Sequence, residues 1–478
     1  MKDKIDLKNF NLGGIADSDY MGGKNSMAEL WGFDIHSESG VSKVNQALTK
    51  DSGNTIDDLV LAGISCSDSN VYLFGSTTGK IWKRNSSGVY SLEATVSPSS
   101  GSAGIVGAIE YMGYIYYAME KKLGRVAVGS SWSSRDDNWE TFAGGDSLYH
   151  PMLILNLVLY IGDKNYVAQV DDGVFSNQAL DMPDLSSSLR VRCLGQLGTD
   201  LLIGGYVSSD VIGTEIYRWN TWSVSFTNSD PIPEVGINAF IPIDNGVIVN
   251  AGTKGNLYVY DGVSLDLYKQ IKGDYSGGKK AFVNNNAVLN FAGLPLFGLS
   301  NLNGNPTTLG IYSLGRTNRN YPIILNGEVG ISTGHLSNIE IGCIIGYGSK
   351  YLVSWKDSTN PNNIVYGVDI LNLTAKYPGA FMTSRVVMVD RFTLLNFTLA
   401  QIAYKSLPED TSFTILKKVN HDSWKDIDLS NCINDKQRQV FLTNVDLNDA
   451  TTMQIKVKAN VKGNDAPEIE AIRLSVNI

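Results

Sequence analysis

Two motifs in the sequence contain residue types that could do hydrolytic or sugar chemistry. Gly330–Gly334 reads GISTG and is followed directly by His335. In hydrolases the G-x-S-x-G spacing places a nucleophilic serine on a strained turn between a strand and a helix. No helical period follows here, and a triad histidine normally comes from a distant loop rather than from the next residue. We therefore interpret this motif as a turn and predict no hydrolase activity that depends on Ser332.

The second motif, Ser134–Trp139, reads SRDDNW and partly resembles the Asp-box turn of sialidase propellers. Asparagine stands where that turn has glycine, and such turns are structural. Glycoside cleavage would need two carboxyl groups within about 5 to 10 Å of each other. The spacing of the candidate acids distinguishes no such pair among Asp136, Asp171, Asp172, Glu215 and Asp261. We predict that the protein is not an enzyme.

Two other motifs resemble binding sites. Asp34, His36 and Glu38 alternate along an extended segment, so their side chains could form a row of metal ligands. A solvated strand face explains the same alternation, and we favour that interpretation. Gly22–Asn25, GGKN, lacks the first glycine of a phosphate loop and the serine or threonine after its lysine, so we interpret it as a turn. We predict no cofactor and no metal.

The elements that must position these residues repeat along the chain. VYLFG at Val71–Gly75 is an alternating apolar segment that closes on a small residue, and similar segments align at positions 74, 117, 160, 203, 250, 291 and 353. The steps between these positions are 43, 43, 43, 47, 41 and 62 residues. A second alternating segment follows each one, from GKIWKR at 79–84 to NIVYGVDI at 363–370. A period of about 40 to 50 residues built of short strands is typical of β-propeller blades.

We therefore predict an all-β chain with a seven-bladed β-propeller over residues 40–374, in which Gly40–Thr49 completes the last blade. An irregular β-sandwich with accidental spacing remains the alternative. The long last step predicts a polar loop at Gly298–Gly310 that projects from one face.

Two segments lie outside the repeat. Residues 1–39 have no sustained period and are rich in glycine, aspartate and serine. We predict that they form an extended arm, which packs on a neighbouring subunit through its large apolar residues Tyr20, Met21, Leu30, Trp31 and Phe33. A new set of alternating strands after residue 375 predicts a β-sandwich over 375–478.

Composition and charge exclude several classes of partner. The net charge is −9 and no lysine or arginine run exceeds a pair, so we predict no nucleic-acid binding. The longest apolar run, residues 152–161, is far shorter than the roughly 20 residues that cross a bilayer, so we predict no membrane insertion.

The N-terminus lacks the apolar core of a signal peptide, which indicates a soluble chain made in the cytoplasm. The spacing of the cysteines fits no zinc site and predicts reduced, mostly buried thiols at Cys66, Cys193, Cys343 and Cys432.

The run Ala16–Gly53, the segment GKIWKR and the turn DNWETF at Asp137–Phe142 together resemble propeller-containing virion proteins of tailed bacteriophages. The resemblance implies a structural component of the phage tail, such as a nozzle, hub, tip or fibre protein. It also implies synthesis in the host cytoplasm, location in the virion, and partners that are other virion proteins and copies of the chain itself. A host-surface glycan or receptor is a further partner that it allows. The chain is shorter than the nozzle proteins of this group, so its place in the tail stays open.

Two other function classes fit the same sequence. One is a carbohydrate-binding or carbohydrate-cleaving propeller that uses exposed aromatic residues near acids, for which the candidates are Trp132, Trp139, Trp219 and Trp222. The other is a cytoplasmic scaffold for protein interactions. A facing pair of carboxyl groups would favour the enzyme, and contacts between identical copies would favour the virion protein.

Overall fold

A computed structural model of the chain describes residues 4–23, 25–53, 55–181, 189–207, 213–304, 310–316, 322–388, 396–427, 439–442 and 452–477. Within these residues the backbone forms β-strands, no α-helix, and three short 3₁₀ turns at Phe10–Leu12, Trp132–Ser134 and Ser276–Gly278. The prediction of an all-β chain is confirmed. The described residues also include no helix with the length and apolar character that a membrane span requires.

The chain divides into two compact units that do not follow the sequence order. Unit 1 comprises Met1–Thr49, Gly310–Ile331 and Leu371–Ile478, and unit 2 comprises Lys50–Leu309 and Ser332–Ile370. The predicted domains 1–39, 40–374 and 375–478 therefore differ from the observed units. Strands that are distant in sequence share sheets and a core in unit 1, and no local pattern reveals such sharing.

The first twenty-five strands run from the N-terminus through most of unit 2. β1 to β5 are Lys4–Leu7, Met27–Trp31, Phe33–Asp34, Ser42–Val44 and Gln46–Lys50. β6 to β13 are Val60–Ser65, Val71–Gly75, Lys80–Arg84, Tyr90–Thr95, Gly107–Tyr111, Tyr114–Ala118, Lys122–Ala127 and Asp136–Thr141. β14 to β21 are Met152–Leu155, Val158–Asp163, Tyr166–Asp171, Val174–Asp181, Leu189–Leu197, Asp200–Val207, Thr214–Trp219 and Asn228–Ile232. β22 to β25 are Ile237–Ile243, Gly246–Ala251, Asn256–Tyr260 and Leu265–Gln270.

The remaining strands complete both units. β26 to β32 are Lys280–Phe291, Leu294–Leu302, Gly310–Gly315, Ile324–Val329, Ile339–Tyr347, Lys350–Asp357 and Val365–Lys376. β33 to β40 are Phe381–Ser384, Val387–Met388, Asn396–Tyr404, Ser412–Val419, Lys425–Asp426, Gln439–Leu442, Thr452–Asn460 and Glu468–Asn477.

In unit 2, β6 to β25 form five separate four-stranded sheets. Each sheet is an antiparallel meander of four consecutive strands, and the sheets begin with β6, β10, β14, β18 and β22. Gly113 (φ 77°) and Gly173 (φ 78°) supply the positive φ that two of the tight turns require. Farther along, β26 pairs with β27, β30 pairs with β31, and β31 pairs with β32, all antiparallel.

The repeat read from the sequence corresponds closely to these strands. All seven members of the second set of predicted segments lie on strands: six on β8, β12, β16, β20, β24 and β32, and LGIYSLGR on β28, which belongs to unit 1. Six of the seven aligned segments of the first set lie on β7, β11, β15, β19, β23 and β31. The regular period of the sequence thus reflects the regular order of strands within each sheet.

The aligned segment at position 291 was assigned to the wrong strand. VLNFAG lies at the end of β26 and in the turn after it, whereas the strand equivalent to the other matches is β27. Pro295 made β27 hard to recognise as a strand from the sequence, because proline is rare inside a strand. The predicted loop Gly298–Gly310 is also wrong for its first five residues, which belong to β27. Residues 305–309 of that loop lie outside the described residues.

The first strands of neighbouring sheets contact one another in unit 2. Each of these strands contacts the next one in the order β6, β10, β14, β18, β22, β26 and β30, and β30 in turn contacts β6. Apolar residues of adjacent sheets share cores, one of which contains Tyr72, Phe74, Tyr117 and Trp132, and another Val60, Trp82, Cys343 and Ile345. Gly342 allows β30 to approach β6 closely, because a Cβ atom there would lie 2.0 Å from the Val60 carbonyl oxygen.

Unit 1 consists of two sheets that share one apolar core. The first sheet has the strand order β3-β4-β40-β35-β38, and β1 also pairs with β40. The second contains β37, β36, β39, β33, β2, β29 and β28 in that order, and β34 pairs with β39. Both sheets contribute to the core, which includes Met27, Leu30, Phe33, Tyr404, Val457 and Ile472. The strands predicted after residue 375 are present, among them β35, β36, β38, β39 and β40, but N-terminal strands complete their sheets.

The segment Gly40–Thr49, predicted to complete the last blade, is divided between two strands. Its first part, β4, pairs with β3 and β40 in unit 1, so the prediction is wrong for Ser42–Val44. Within unit 2, the residues just after β5 bind β32. The Asp51 N–H donates to the Val368 carbonyl (2.8 Å), and the Val368 N–H donates to Ser52 Oγ (3.1 Å).

Candidate functional site

The five residues predicted to form an assembly arm occupy two kinds of environment. Leu30 and Trp31 on β2 and Phe33 on β3 are 1%, 4% and 0% exposed. Because these three side chains belong to the chain's own unit 1, they cannot pack on a neighbouring subunit, and the arm prediction is wrong for them. The sheet partners of Leu30 and Trp31 lie hundreds of residues away on β29 and β33, whereas Phe33 pairs with Val44 on the nearby β4. Tyr20 and Met21 are 47% and 73% exposed and remain candidates for an intermolecular contact.

Trp31 shows how tightly the N-terminal segment is held. Its Nε1–H donates to Tyr377 Oη (3.2 Å), and its ring packs edge-on against Tyr312 with centroids 5.1 Å apart. Trp31 also pairs in parallel register with Gly327 on β29. A Cβ atom on Gly327 would lie 1.9 Å from Trp31 Cε3, so only glycine leaves room for the indole.

Ser332 and His335 of the G-x-S-x-G motif bind different acids. Ser332 Oγ donates to Asp369 Oδ1 (2.6 Å), and the Ser332 N–H donates to Asp369 Oδ2 (2.7 Å). His335 Nδ1 lies 2.5 Å from Asp357 Oδ2. The serine follows β29 and precedes β30, so the turn joins two strands rather than a strand and a helix. This geometry orients a carboxylate toward the serine rather than a histidine.

Asp34, His36 and Glu38 do not converge on one point. Asp34 Oδ1 accepts the His36 N–H (2.8 Å), and Glu38 forms an ion pair with Lys43 (2.6 Å). His36 Nε2 lies 3.3 Å from Ser313 Oγ, and burial lowers the pKa of His36. No group of three histidine, cysteine or acidic side chains among the described residues could hold a metal ion. Lys24 of the GGKN turn lies outside those residues.

The aromatic and acidic candidates for sugar chemistry are mostly structural. Trp132 and Trp219 are 4% and 2% exposed, whereas Trp222 is 86% exposed. Trp139 packs under the guanidinium of Arg125, whose carbon Cζ lies 4.2 Å from the centroid of the Trp139 ring. In the SRDDNW turn the second aspartate accepts hydrogen bonds from the turn's own arginine and from a tyrosine of β11. These contacts hold the outer strand of that sheet in place.

The cysteines agree with the predicted buried thiols. Cys66, Cys193 and Cys343 are free and buried. Burial raises the pKa of the Cys343 thiol to about 12, so this group stays protonated and unreactive at neutral pH. Cys432 lies outside the described residues.

Large exposed apolar residues collect at one end of the sheets β6 to β25. In a four-stranded meander, the turn after the first strand and the turn after the third strand lie at the same end of the sheet. The turn residues at this end, which we name the apolar turn face, are Val89, Met112, Leu157, Val174, Trp222, Val224 and Val263. Four of them are at least 80% exposed: Leu157, Trp222, Val224 and Val263. Among the described residues at the opposite end of these sheets, the corresponding exposed residue is Leu148, at 49%, and residues 182–188 and 208–212 at that end lie outside the described residues.

A small polar cavity lies where first strands of several sheets converge in unit 2. We name it the Arg192 cavity, and its lining includes Leu61 of β6, Arg192 of β18 and Asn284–Asn286 of β26. Segments that precede β10 and β14 add Val106, Leu148, Tyr149, His150 and Pro151. Its volume is about 30 Å³, which is the space that one water molecule occupies in the liquid. Only one small group of a larger ligand can enter it.

Arg192 contributes a positive charge surrounded by aromatic rings. Its guanidinium carbon lies 5.0 Å from the ring centroid of Tyr149, 5.4 Å from Tyr206 and 5.7 Å from Phe282. Tyr149 and Tyr206 also contact each other edge-on, with centroids 6.2 Å apart. None of the described hydrogen bonds joins this guanidinium to an acceptor, and the carboxyl group of Glu340 is near enough to interact with it electrostatically.

Three consecutive asparagines form the opposite wall. The pairing of β26 with β27 shifts between Val283 and Val288, and the extra residues bulge out of the ladder there. Asn284 Nδ2 donates to the Ile341 carbonyl (2.7 Å), and Asn286 Nδ2 donates to the Leu61 carbonyl (2.7 Å). The asparagines are thus tied to β30 on one side and to β6 on the other.

Asn285 completes this wall, because its Nδ2 donates to Asn286 Oδ1 (3.1 Å). No donor in the described part of the chain reaches Oδ1 of Asn284 or of Asn285, so both oxygens can accept hydrogen bonds from a ligand.

Glu340 adds a buried carboxyl group beside this wall. It lies 3.4 Å from Asn284 Nδ2, which donates to it. Burial raises the pKa of Glu340, while Lys356, the hydrogen bond from Asn284 and Arg192 act in the opposite direction.

Sequence reasoning missed the Arg192 cavity. The visible signal was the run NNN at Asn284–Asn286, which interrupts the apolar strand KAFVNNNAVLNF. A polar run in an otherwise apolar strand predicts a bulge or a site. Arg192 gave no such signal, because it alternates with apolar residues in β18 as a solvated side chain would.

Comparison with known proteins gives likenesses in structure alone. No protein-family model matches the chain, and no curated protein matches it. The extracellular domain of BT4673 from B. thetaiotaomicron is 12% identical over 76% of this chain and 44% of that one, with a TM-score of 0.47. This chain thus spans less than half of that domain. The RRP9 WD40 repeats are 10% identical over 68% of this chain and 98% of theirs (TM-score 0.47), and the computationally designed Ika8 protein is 12% identical over 68% and 99% (TM-score 0.41).

Proposed function

We propose that unit 2 is built on a closed seven-bladed β-propeller. The cyclic order of contacts among β6, β10, β14, β18, β22, β26 and β30 supports this count. The five complete meanders supply five blades, β26 and β27 begin a sixth, and β30 to β32 begin a seventh. Hydrogen bonds between Val368 and the residues Asp51 and Ser52 bring the start of unit 2 to its last sheet, as ring closure requires.

We further propose that the protein is a structural assembly component without catalytic function. The apolar turn face is the observation that carries this proposal, because soluble proteins rarely expose several large apolar residues along one face unless a partner covers them. Trp222 at 86% exposure is a suitable anchor, since tryptophan is enriched among residues that dominate binding energy. Among the described residues, the large exposed apolar side chains in turns concentrate at this end of the sheets, which favours it as the docking face.

The proposed partners are copies of this chain and other proteins of a tailed-phage virion. This part of the proposal rests on the resemblance of Ala16–Gly53 and Asp137–Phe142 to phage tail propellers. Location in the tail and synthesis in the host cytoplasm follow from the same resemblance. Tyr20 and Met21, the exposed members of the predicted arm, are candidates for a second contact.

The assembly proposal can be tested with the purified full chain and with phage particles. Mass photometry and analytical ultracentrifugation should find oligomers of the native chain, and immunogold electron microscopy should find it at one position on the tail. The double variant Trp222→Ser, Val224→Ser should dissociate the oligomer at least tenfold more readily, which corresponds to about 1.4 kcal/mol. Leu148→Ser is the matched control, because Leu148 is exposed at the opposite end of the sheets.

Two results would overturn the proposal. One is a native chain that stays monomeric and labels no virion. The other is an oligomer that the double variant and the control variant weaken equally.

A further inference from the structure

The Arg192 cavity combines three kinds of group that a single ligand class would use together. Arg192 presents a planar fork of N–H donors and a full positive charge, which fits a carboxylate in two parallel hydrogen bonds. Asn284 and Asn285 present amide oxygens, which accept hydrogen bonds from hydroxyl groups. Tyr149 presents an aromatic ring beside the guanidinium, 5.0 Å from its carbon to the ring centroid.

The cavity is also held in shape before any ligand arrives. The amide nitrogens of Asn284 and Asn286 are fixed to backbone carbonyls of two different strands. The three aromatic rings around Arg192 restrict its side chain. A site whose polar groups are fixed in advance loses less conformational entropy when it binds.

Size limits what enters the cavity. A volume of about 30 Å³ admits one small group, such as a carboxylate, while the rest of the ligand lies over the lining residues. A ligand that is only an anion would leave the amide oxygens and the tyrosine ring unused. A ligand that is only a neutral sugar would offer the guanidinium no anionic acceptor.

We infer that the Arg192 cavity binds the carboxylate of an acidic sugar, of the uronate or sialate type. The carboxylate pairs with the guanidinium of Arg192, sugar hydroxyls donate to Oδ1 of Asn284 and Asn285, and an apolar sugar face packs on Tyr149. This inference is independent of the proposed assembly role, because the apolar turn face contributes no residue to the cavity. An acidic peptide carries the same carboxylate chemistry, but its side chains offer no cluster of hydroxyl donors for the two amide oxygens.

Direct binding to the full chain tests the inference. The probes are glucuronate, N-acetylneuraminate, neutral glucose and a triglutamate peptide, each followed by ligand-observed NMR and calorimetry at moderate salt. At least one of the two acidic sugars should bind with a Kd below about 10 mM, and glucose and the peptide should bind at least tenfold more weakly, or by about 1.4 kcal/mol.

Variants assign the binding to the cavity. Arg192→Gln should weaken acidic-sugar binding at least tenfold, and Asn285→Ala should weaken it severalfold. Asn285→Ala guards against misfolding, because the Asn285 side chain is hydrogen-bonded only to Asn286 in the described residues. The matched control is Arg125→Gln. The Arg125 guanidinium carbon also lies between aromatic rings, 4.7 Å from the ring centroid of Tyr114 and 4.2 Å from that of Trp139. Arg125 is on β12 and does not line the cavity.

Four outcomes would overturn the inference. The inference fails if neither acidic sugar binds the native chain, or if the peptide binds as tightly as the sugars. It also fails if Arg192→Gln and Asn285→Ala both keep native binding, or if Arg125→Gln loses binding to the same extent as Arg192→Gln. Because none of these measurements reports the oligomeric state, a failure here leaves the test of the assembly proposal intact.

Discussion

Glu328 should make the stability of unit 1 depend on pH in a direction opposite to that of most acids. The residue is buried on β29, and its carboxylate accepts hydrogen bonds from Asn326 Nδ2 (2.8 Å), Asn45 Nδ2 (2.6 Å) and Ser313 Oγ. Despite these three donors, burial raises the pKa of Glu328 from 4.5 to about 7. Asp34, a neighbouring negative charge, acts in the same direction.

The sign and size of the effect follow from proton linkage. Between pH 4.5 and about 7 the folded state holds more protons than the unfolded state, so the free energy of unfolding falls as pH rises. The contribution is fully present below pH 4.5 and is lost above about pH 7. At about 1.4 kcal/mol for each pH unit, the loss is roughly 3 kcal/mol.

Glu328→Gln removes this dependence because the amide does not titrate. Replacing one acceptor oxygen by an NH₂ group should cost about 1 kcal/mol, as one donor loses its partner. The variant should therefore be less stable than the native chain at pH 4 by about 1 kcal/mol and more stable at pH 8 by roughly 2 kcal/mol. The two stability curves should cross between these values.

Urea unfolding at several pH values measures this difference, and hydrogen exchange of peptides from Ile324–Val329 assigns the transition to unit 1. Glu93→Gln is the control, because Glu93 is exposed on β9 in unit 2. A difference between the Glu328 variant and the native chain that stays constant from pH 5 to pH 8, or that grows in favour of the native chain, would refute the reasoning.

Three further predictions follow from the described contacts. Gly327→Ala should destabilise the chain by about 1 to 3 kcal/mol in urea unfolding because its Cβ collides with Trp31, whereas Gly23→Ala, with nothing within 4 Å, should change little; equal effects would contradict this. Ser332→Ala should cost about 1 kcal/mol of stability through a lost hydrogen bond, while assembly and binding stay unchanged, and a loss of measurable turnover with the fold intact would reveal a nucleophile. Deleting residues 1–33 removes β1 and β2, so circular dichroism and melting should report loss of unit 1; a truncated chain that melts like the native one would restore the idea of a dispensable arm.

The sequence alone determined most of the strands of unit 2. Alternation of apolar residues, glycine turns and a step of 43 residues predicted the repeat, because these signals act within one or two strands. The second segment of each predicted repeat lies on a strand in the structure, from β8 to β32. Where the local signal was weak, as at Pro295 in β27, the prediction moved to the adjacent strand.

Tertiary structure decided the membership of unit 1. Residues 27–33 read as an arm because no nearby segment could bury Leu30, Trp31 or Phe33. β2 pairs with β29 and β33, which come from far along the chain, while Phe33 pairs with the nearby Val44. The core around Leu30 and Phe33 combines residues from both ends of the chain. Pairing between distant strands leaves no periodic trace in either segment, so hydrophobicity predicts that a residue is buried but does not identify its partner.

The Arg192 cavity depends on tertiary structure in the same way. Its lining comes from β6, β18, β26 and the segments before β10 and β14, which are distant from one another in the sequence. Each of these residues looks ordinary in its own strand: Arg192 alternates with apolar neighbours, and Tyr149 precedes a histidine and a proline. Only the contacts between first strands bring the guanidinium, the amide oxygens and the aromatic ring together, because the site is formed by several sheets and belongs to none of them alone.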